Sequence, residues 1–141
     1  MRESISRLAF VCAASTLLCG IADRASASSI IINGSFEGPS IGSGYAGYAT
    51  GDTGISGWTV IGPAGGNVAL VDQTYTESGF AFPAQDGNQW LDLTGLASNT
   101  LNEGVQQTVA TIAGASYSLS FWLGNLLGAA GGLGNTSSLD V

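Results

Sequence analysis

The chain has 141 residues, with three Lys plus Arg, ten Asp plus Glu, no His and two Cys. Arg2, Arg7, Arg24, Cys12 and Cys19 all lie near the N-terminus, so everything after residue 24 is free of Lys, Arg, His and Cys. That distribution speaks against nucleic acid and anionic membranes as partners, because counterion release needs a cation opposite each phosphate. It also makes zinc or copper sites improbable, since these draw on His and Cys.

The N-terminus has the three parts of a secretory signal. Arg2 and Arg7 form a positive region, residues 8–21 an apolar stretch shorter than the ~20 residues a membrane helix needs, and Ala25-Ser26-Ala27 a small-residue cleavage site. Residues 1–27 are therefore expected to be a signal peptide, and residues 28–141 a single exported domain, secreted, at the cell surface or in the periplasm. Leu17-Leu18-Cys19-Gly20 is similar to a lipoprotein acylation site, but Leu18 stands where a small residue is required. Without cysteine, the mature chain must be stable through packing or a bound ion rather than a disulfide.

Residues 38–57 and 124–138 are dense in Gly, Ser and Thr and read as loops. Period-two alternation dominates elsewhere. Weak strands are expected at 29–33, 58–61 and 67–72. Leu91 and Leu93 alternate with Trp90, Asp92 and Thr94 in a further strand, and Val105, Gln107 and Val109 with Gln106, Thr108 and Ala110 in the next. The clearest pattern sets Tyr117, Leu119, Phe121 and Leu123 on one face and Ser116, Ser118, Ser120 and Trp122 on the other; residues 111–114 would join it to the preceding strand as a hairpin. A last weak strand is expected at 138–141. Many short antiparallel strands with one apolar face each predict an all-β sandwich or barrel.

Two catalytic patterns occur, and each fails on chemistry. Gly38-Pro39-Ser40-Ile41-Gly42 matches a nucleophile elbow, but the mature chain has no His or Lys to act as base. Gly42-Ser43-Gly44-Tyr45-Ala46-Gly47 matches a phosphate-binding glycine pattern, but it opens no helix and has no cation near it, so it reads as a flexible loop. Paired carboxylates are the one acid–base device left, as in glycosidases. Asp, Glu, Asn and backbone carbonyls suit Ca²⁺.

Five motifs then occur in order: Asn33-Gly34-Ser35-Phe36-Glu37; Gly57-Trp58-Thr59-Val60; the run from Gln85 through Asp86-Gly87-Asn88-Gln89-Trp90 to Leu93; Gly104-Val105-Gln106-Gln107-Thr108; and Gly114-Ala115-Ser116-Tyr117 through Phe121. Together they resemble the galactose-binding-like jelly-roll domain of secreted proteins, as in the domain of unknown function 642 and the choice-of-anchor C proteins associated with PEP-CTERM sorting. The resemblance covers about residues 30–141. It implies an antiparallel jelly-roll β-sandwich and a non-catalytic module binding carbohydrate, an exopolysaccharide, a cell-wall component or extracellular matrix. It places a structural Ca²⁺ on Glu37, with Asp140 as a further ligand if the last segment folds back. Such domains carry more strands after the Tyr-x-Leu-x-Phe run, so a truncated or minimal variant is expected. A matrix scaffold without ligand is the alternative, and a carboxylate-based glycosidase a third reading.

The pleat makes a ligand surface out of the residues opposite the core. Trp90, Asp92, Ser118, Ser120 and Trp122 would face outward, an indole stacking on a pyranose while carboxylate and hydroxyls take its hydroxyl groups. Tyr45, Tyr48 and Tyr75 would add a rim. The competing expectation is that the outward Trp residues pack under a loop.

Overall fold

The computed structural model describes residues 28–77, 79–96, 102–124 and 138–141. The expected signal peptide lies outside these residues, as does most of the second glycine-rich loop. The described residues contain β-strands and no helix, and every ladder is antiparallel. No described helix is long and apolar enough to cross a membrane.

The strands are β1 (Tyr45–Ala49), β2 (Thr59–Ile61), β3 (Asn67–Asp72), β4 (Thr76–Glu77), β5 (Phe80–Ala81), β6 (Gln89–Asp92) and β7 (Gly104–Gln106). β3 lies between β1 and β6 in a three-stranded sheet, β2 pairs with β7, and β4 with β5 form a short hairpin. β3 is the hub because its sequence suits a strand flanked on both sides: Asn67-Val68-Ala69-Leu70-Val71-Asp72 is nearly continuous in apolar residues and buried from Val68 onward.

The core lies where the larger sheet meets the β2–β7 pair. Ile55, Val60, Val68 and Leu70 form its fully enclosed centre, with Phe36, Ile41, Tyr48, Trp58, Leu91, Leu93 and Val105 packed around it. The register explains the arrangement. Leu70 faces Leu91 on one side and Ala46 on the other, while Val60 pairs with Val105. Each such aliphatic side chain contributes roughly 1.5–3 kcal/mol when taken wholly out of water.

The Asn33-Gly34-Ser35-Phe36-Glu37 segment acts as a clasp rather than as a strand end. Asn33 Nδ2 donates to the carbonyls of Gly38 (2.7 Å) and Ser56 (3.0 Å), and its Oδ1 accepts from Gly38 N–H. The Phe36 ring stacks on Trp58 with centroids 5.2 Å apart, and Trp58 Nε1 donates to the Asn33 carbonyl. Two glutamine amides complete the attachment. Gln107 Oε1 accepts from Ile32 N–H while its Nε2 donates to the carbonyls of Ile32 and Gly57, so a side chain substitutes for a neighbouring strand. Buried Gln89 donates to the carbonyls of Phe36 and Pro39 and accepts from Ile41 N–H.

Several sequence expectations are corrected. The stretch read as a flexible glycine loop contains β1, an edge strand whose backbone pairs with β3 along its whole length. Residues 29–33 are not a strand, because the Gln107 amide takes the place of a ladder. Only the start of the 105–110 alternation becomes β7, since β2 offers a partner no longer than Thr59–Ile61. The most regular alternation, at 116–123, forms no ladder: Tyr117, Leu119, Phe121 and Leu123 stand exposed rather than in the core. The expected turn is present, with Ala115 N–H donating to the Ile112 carbonyl, but its arms do not pair. Residues 138–141 likewise form no strand.

Candidate functional site

The three-stranded sheet has a second face, opposite the core, and the register sets its content. Tyr45 pairs with Val71 and Val71 with Trp90, so these side chains form one row across β1, β3 and β6. One step along, Gly47, Ala69 and Asp92 form the next row. Val71 and Ala69 are buried, so this face is partly roofed. Leu96 covers Gly47 closely enough that a Cβ there would collide with its Cδ1 at 2.6 Å.

Aromatic rings meet at both ends of the first row. Tyr75, in the turn after β3, meets Tyr45 edge-on with centroids 5.3 Å apart. Phe82, just past β5, tilts against Trp90 at 5.5 Å. Tyr45 remains 50% exposed. Trp90 is half-buried, and its indole N–H is sealed from solvent without a hydrogen-bond partner. Burial, the Glu77 carboxylate and the neighbouring Tyr45 together raise the Tyr75 phenol above its ordinary pKa.

The other side chains expected at the ligand surface are dispersed. Tyr48 lies on the core face of β1 and packs against the enclosed centre; burial, then Asp52, pushes its phenol upward. Asp92 Oδ1 accepts from the amide (2.8 Å) and hydroxyl (2.6 Å) of Thr94, which closes β6 with a local turn. β3 ends the same way, Asp72 binding the Thr74 amide and hydroxyl, and these bonds hold the Asp72 carboxyl below its ordinary pKa. Ser118, Ser120 and Trp122 stand on the extended tail, with Trp122 79% exposed. Part of this tail faces the N-terminal segment across an open, mainly apolar groove lined by Ile30, Ile31, Val109, Tyr117 and Leu119.

Of the expected metal ligands, Glu37 is engaged at the start of β6. Its Oε1 accepts from the amides of Asn88 (2.8 Å) and Gln89 (2.9 Å), above the turn at Gly87, which has a φ of 74° and where a Cβ would collide with that carboxylate. Asp140 is exposed. No cluster of three or more His, Cys, Asp or Glu suited to a metal occurs among the described residues.

Sequence reasoning passed over Phe82 and Glu103. An aromatic two residues past a hairpin turn carries no distinguishing signal. Glu103 reads as one of several scattered carboxylates, yet both of its carboxylate oxygens are sealed without a donor.

Comparison with known proteins finds no matching protein family, no matching curated protein and no matching solved structure.

Proposed function

We propose that this chain is an exported, non-catalytic β-sandwich module of jelly-roll type that binds carbohydrate. The observation that carries this reading is the aromatic row across the partly roofed second face of the sheet, where half-exposed Tyr45 meets Tyr75 edge-on at one end and Trp90 stands at the other, across buried Val71. Rings fixed on a rigid sheet present the apolar faces that a pyranose stacks on. Half-buried Trp90, tilted against Phe82, ends the row, and Trp122 supplies an exposed indole on the tail. A binding role without catalysis is favoured because Glu37, Asp52, Asp72 and Asp92 each spend a carboxylate oxygen on a nearby backbone amide. A Ca²⁺ at Glu37 belongs to the same reading, with Oε2 as its ligand.

The test uses protein recovered from culture medium, its mass starting at Ser28, on columns of insoluble polysaccharide. Tyr45→Ala and Tyr75→Ala are expected each to weaken retention by about 1–3 kcal/mol, as truncated hot-spot aromatics do. Unchanged retention in the folded double variant would remove the aromatic row as the site. The second reading, a matrix scaffold without ligand, draws on the exposed apolar tail from Ile112 to Leu123. Absence of retention on every polysaccharide would favour it.

A further inference from the structure

We infer that residues 116–124 pair antiparallel with the same segment of a second copy of this chain, forming a symmetric dimer. This stretch runs without turn, bend or ladder, and no described hydrogen bond reaches its backbone. It nevertheless has the composition of a strand, with aromatic and aliphatic residues alternating with serines. The devices that blunt an exposed strand edge, a proline, a charge or a glycine bulge, are absent from Ala115 to Leu123. Tyr117, Leu119, Phe121 and Leu123 are each between 49% and 62% exposed, so one whole apolar face of this segment stands in water in the single chain.

The pattern is complementary to itself. In antiparallel pairing of two identical segments, residues directly opposite share a face, so odd-numbered residues meet odd-numbered ones only when the paired numbers sum to an even value. An odd sum would set each apolar residue across from a serine or from Trp122. Of the even registers, the one centred on Ser120 matches all four apolar residues, Tyr117 with Leu123 and Leu119 with Phe121, each pair occurring twice by symmetry. Tyr117 and Leu119 also line the groove against Ile30 and Ile31, so the side chains brought by the second copy extend an apolar surface already begun within the chain.

Charge selects the same occupant. The side chains of residues 28–141 carry negative charges and no positive ones, and all of those carboxylates lie outside residues 104–139. Two such anions repel wherever their acidic surfaces meet, and the charge-free tail is where two copies approach without setting like charges across from each other. A basic partner, which the net charge would otherwise favour, finds no carboxylate on this segment. A single two-stranded ladder buries less than a standard interface, so the pairing is weak, with Kd on the order of 10⁻⁵–10⁻⁴ M. Below that concentration the tail stands free, as it does in the single chain.

The experiment is sedimentation equilibrium of the protein recovered from culture medium, from ~1 µM to ~1 mM. Its average mass should rise from that of one chain to that of two and stop there. Phe121→Asp places a carboxylate in both central pairs and should remain a single chain throughout. Phe121 is 54% exposed and outside the core, so dilute urea unfolding of this variant should match that of the unaltered protein. Ser120→Cys reads the register without weakening the fold, because residues 28–141 contain no other cysteine and a position opposite its own copy lies within disulfide reach. At ~1 mM it should cross-link about tenfold faster, or more, than a thiol introduced by Ser40→Cys at an exposed position off the tail, since pairing raises the local thiol concentration. A single chain at every concentration, association that continues past two chains, a dimer that persists in Phe121→Asp, or equal cross-linking at the two positions overturns the inference. So does a chain that stays single yet sediments with phosphatidylcholine vesicles, which would assign the tail to a membrane.

Discussion

Strand β6 of the three-stranded sheet and the tail through residue 124 both carry alternating apolar residues, but they end in opposite environments. In the sheet, Leu91 reaches the core because β3 lies beside β6 and sets its pleat, leaving Trp90 and Asp92 on the far face. In the tail, Tyr117, Leu119, Phe121 and Leu123 keep a stricter alternation, yet nothing pairs with the segment among the described residues, and all four stand exposed. Alternation records which residues would share a face if a strand formed. A neighbouring backbone decides whether it forms, because the hydrogen-bonding groups of a lone extended segment find their partners in water.

The largest expected effect tests that contrast directly. Leu70 is fully enclosed between Leu91 and Ala46 across its two ladders, so Leu70→Ala is expected to cost about 2–5 kcal/mol in urea unfolding. Leu119 is 62% exposed, and Leu119→Ala should stay within about 0.5 kcal/mol. Comparable losses at both positions would mean that the tail is packed in solution, and the distinction between the two regions would fall.

A smaller effect is expected where the sheet is joined to the N-terminal clasp. Gln89 is 3% exposed, and its amide serves the Phe36 and Pro39 carbonyls and the Ile41 amide. Gln89→Ala leaves these groups to find other partners and should lower stability by about 1–3 kcal/mol in the same assay. A loss well below that range would show that water reaches these groups readily and that the clasp adds little.

What the sequence disclosed follows the same logic. β3 was legible with its observed bounds because Val68 to Val71 is a continuous β-branched and aliphatic run closed by Asp72. β1 was hidden: Tyr45-Ala46-Gly47-Tyr48-Ala49 carries two alanines and a glycine, and its place in the sheet comes from pairing with β3 and from the Leu96 side chain seated over Gly47. At the site, Tyr45, Tyr75 and Trp90 could be singled out as aromatics. That Tyr45 and Trp90 share one row depends on the register of three strands distant in sequence, which no local pattern encodes. Asn33 and Glu37 were legible as a motif, but the partners that make them a clasp, Ser56 and Asn88, lie far along the chain.

The smallest expected effect concerns how β3 ends and depends on pH. Thr74 binds Asp72 through its hydroxyl and its amide, and the hydroxyl is the larger cause of the lowered carboxyl pKa. A carboxyl whose folded value lies below its unfolded value contributes stability above the unfolded value, here near 3.8, and loses that contribution as pH falls through the folded value. Thr74→Val removes the hydroxyl bond while keeping the shape of the side chain and the backbone bond. The variant is therefore expected to be less stable than the unaltered protein at neutral pH, with the difference shrinking toward zero as pH drops below the ordinary carboxylate range. Urea unfolding between neutral pH and about pH 3 reads this as two curves that converge on the acid side. Curves that stay parallel would assign the loss to packing of Thr74 rather than to the charge on Asp72. Asp92 and Thr94 repeat the same turn at the end of β6, whereas the tail has no such stop. A strand end fixed by a carboxylate is thus found in the ladder-forming region, and the acid sensitivity expected here belongs to the Asp72 end of β3.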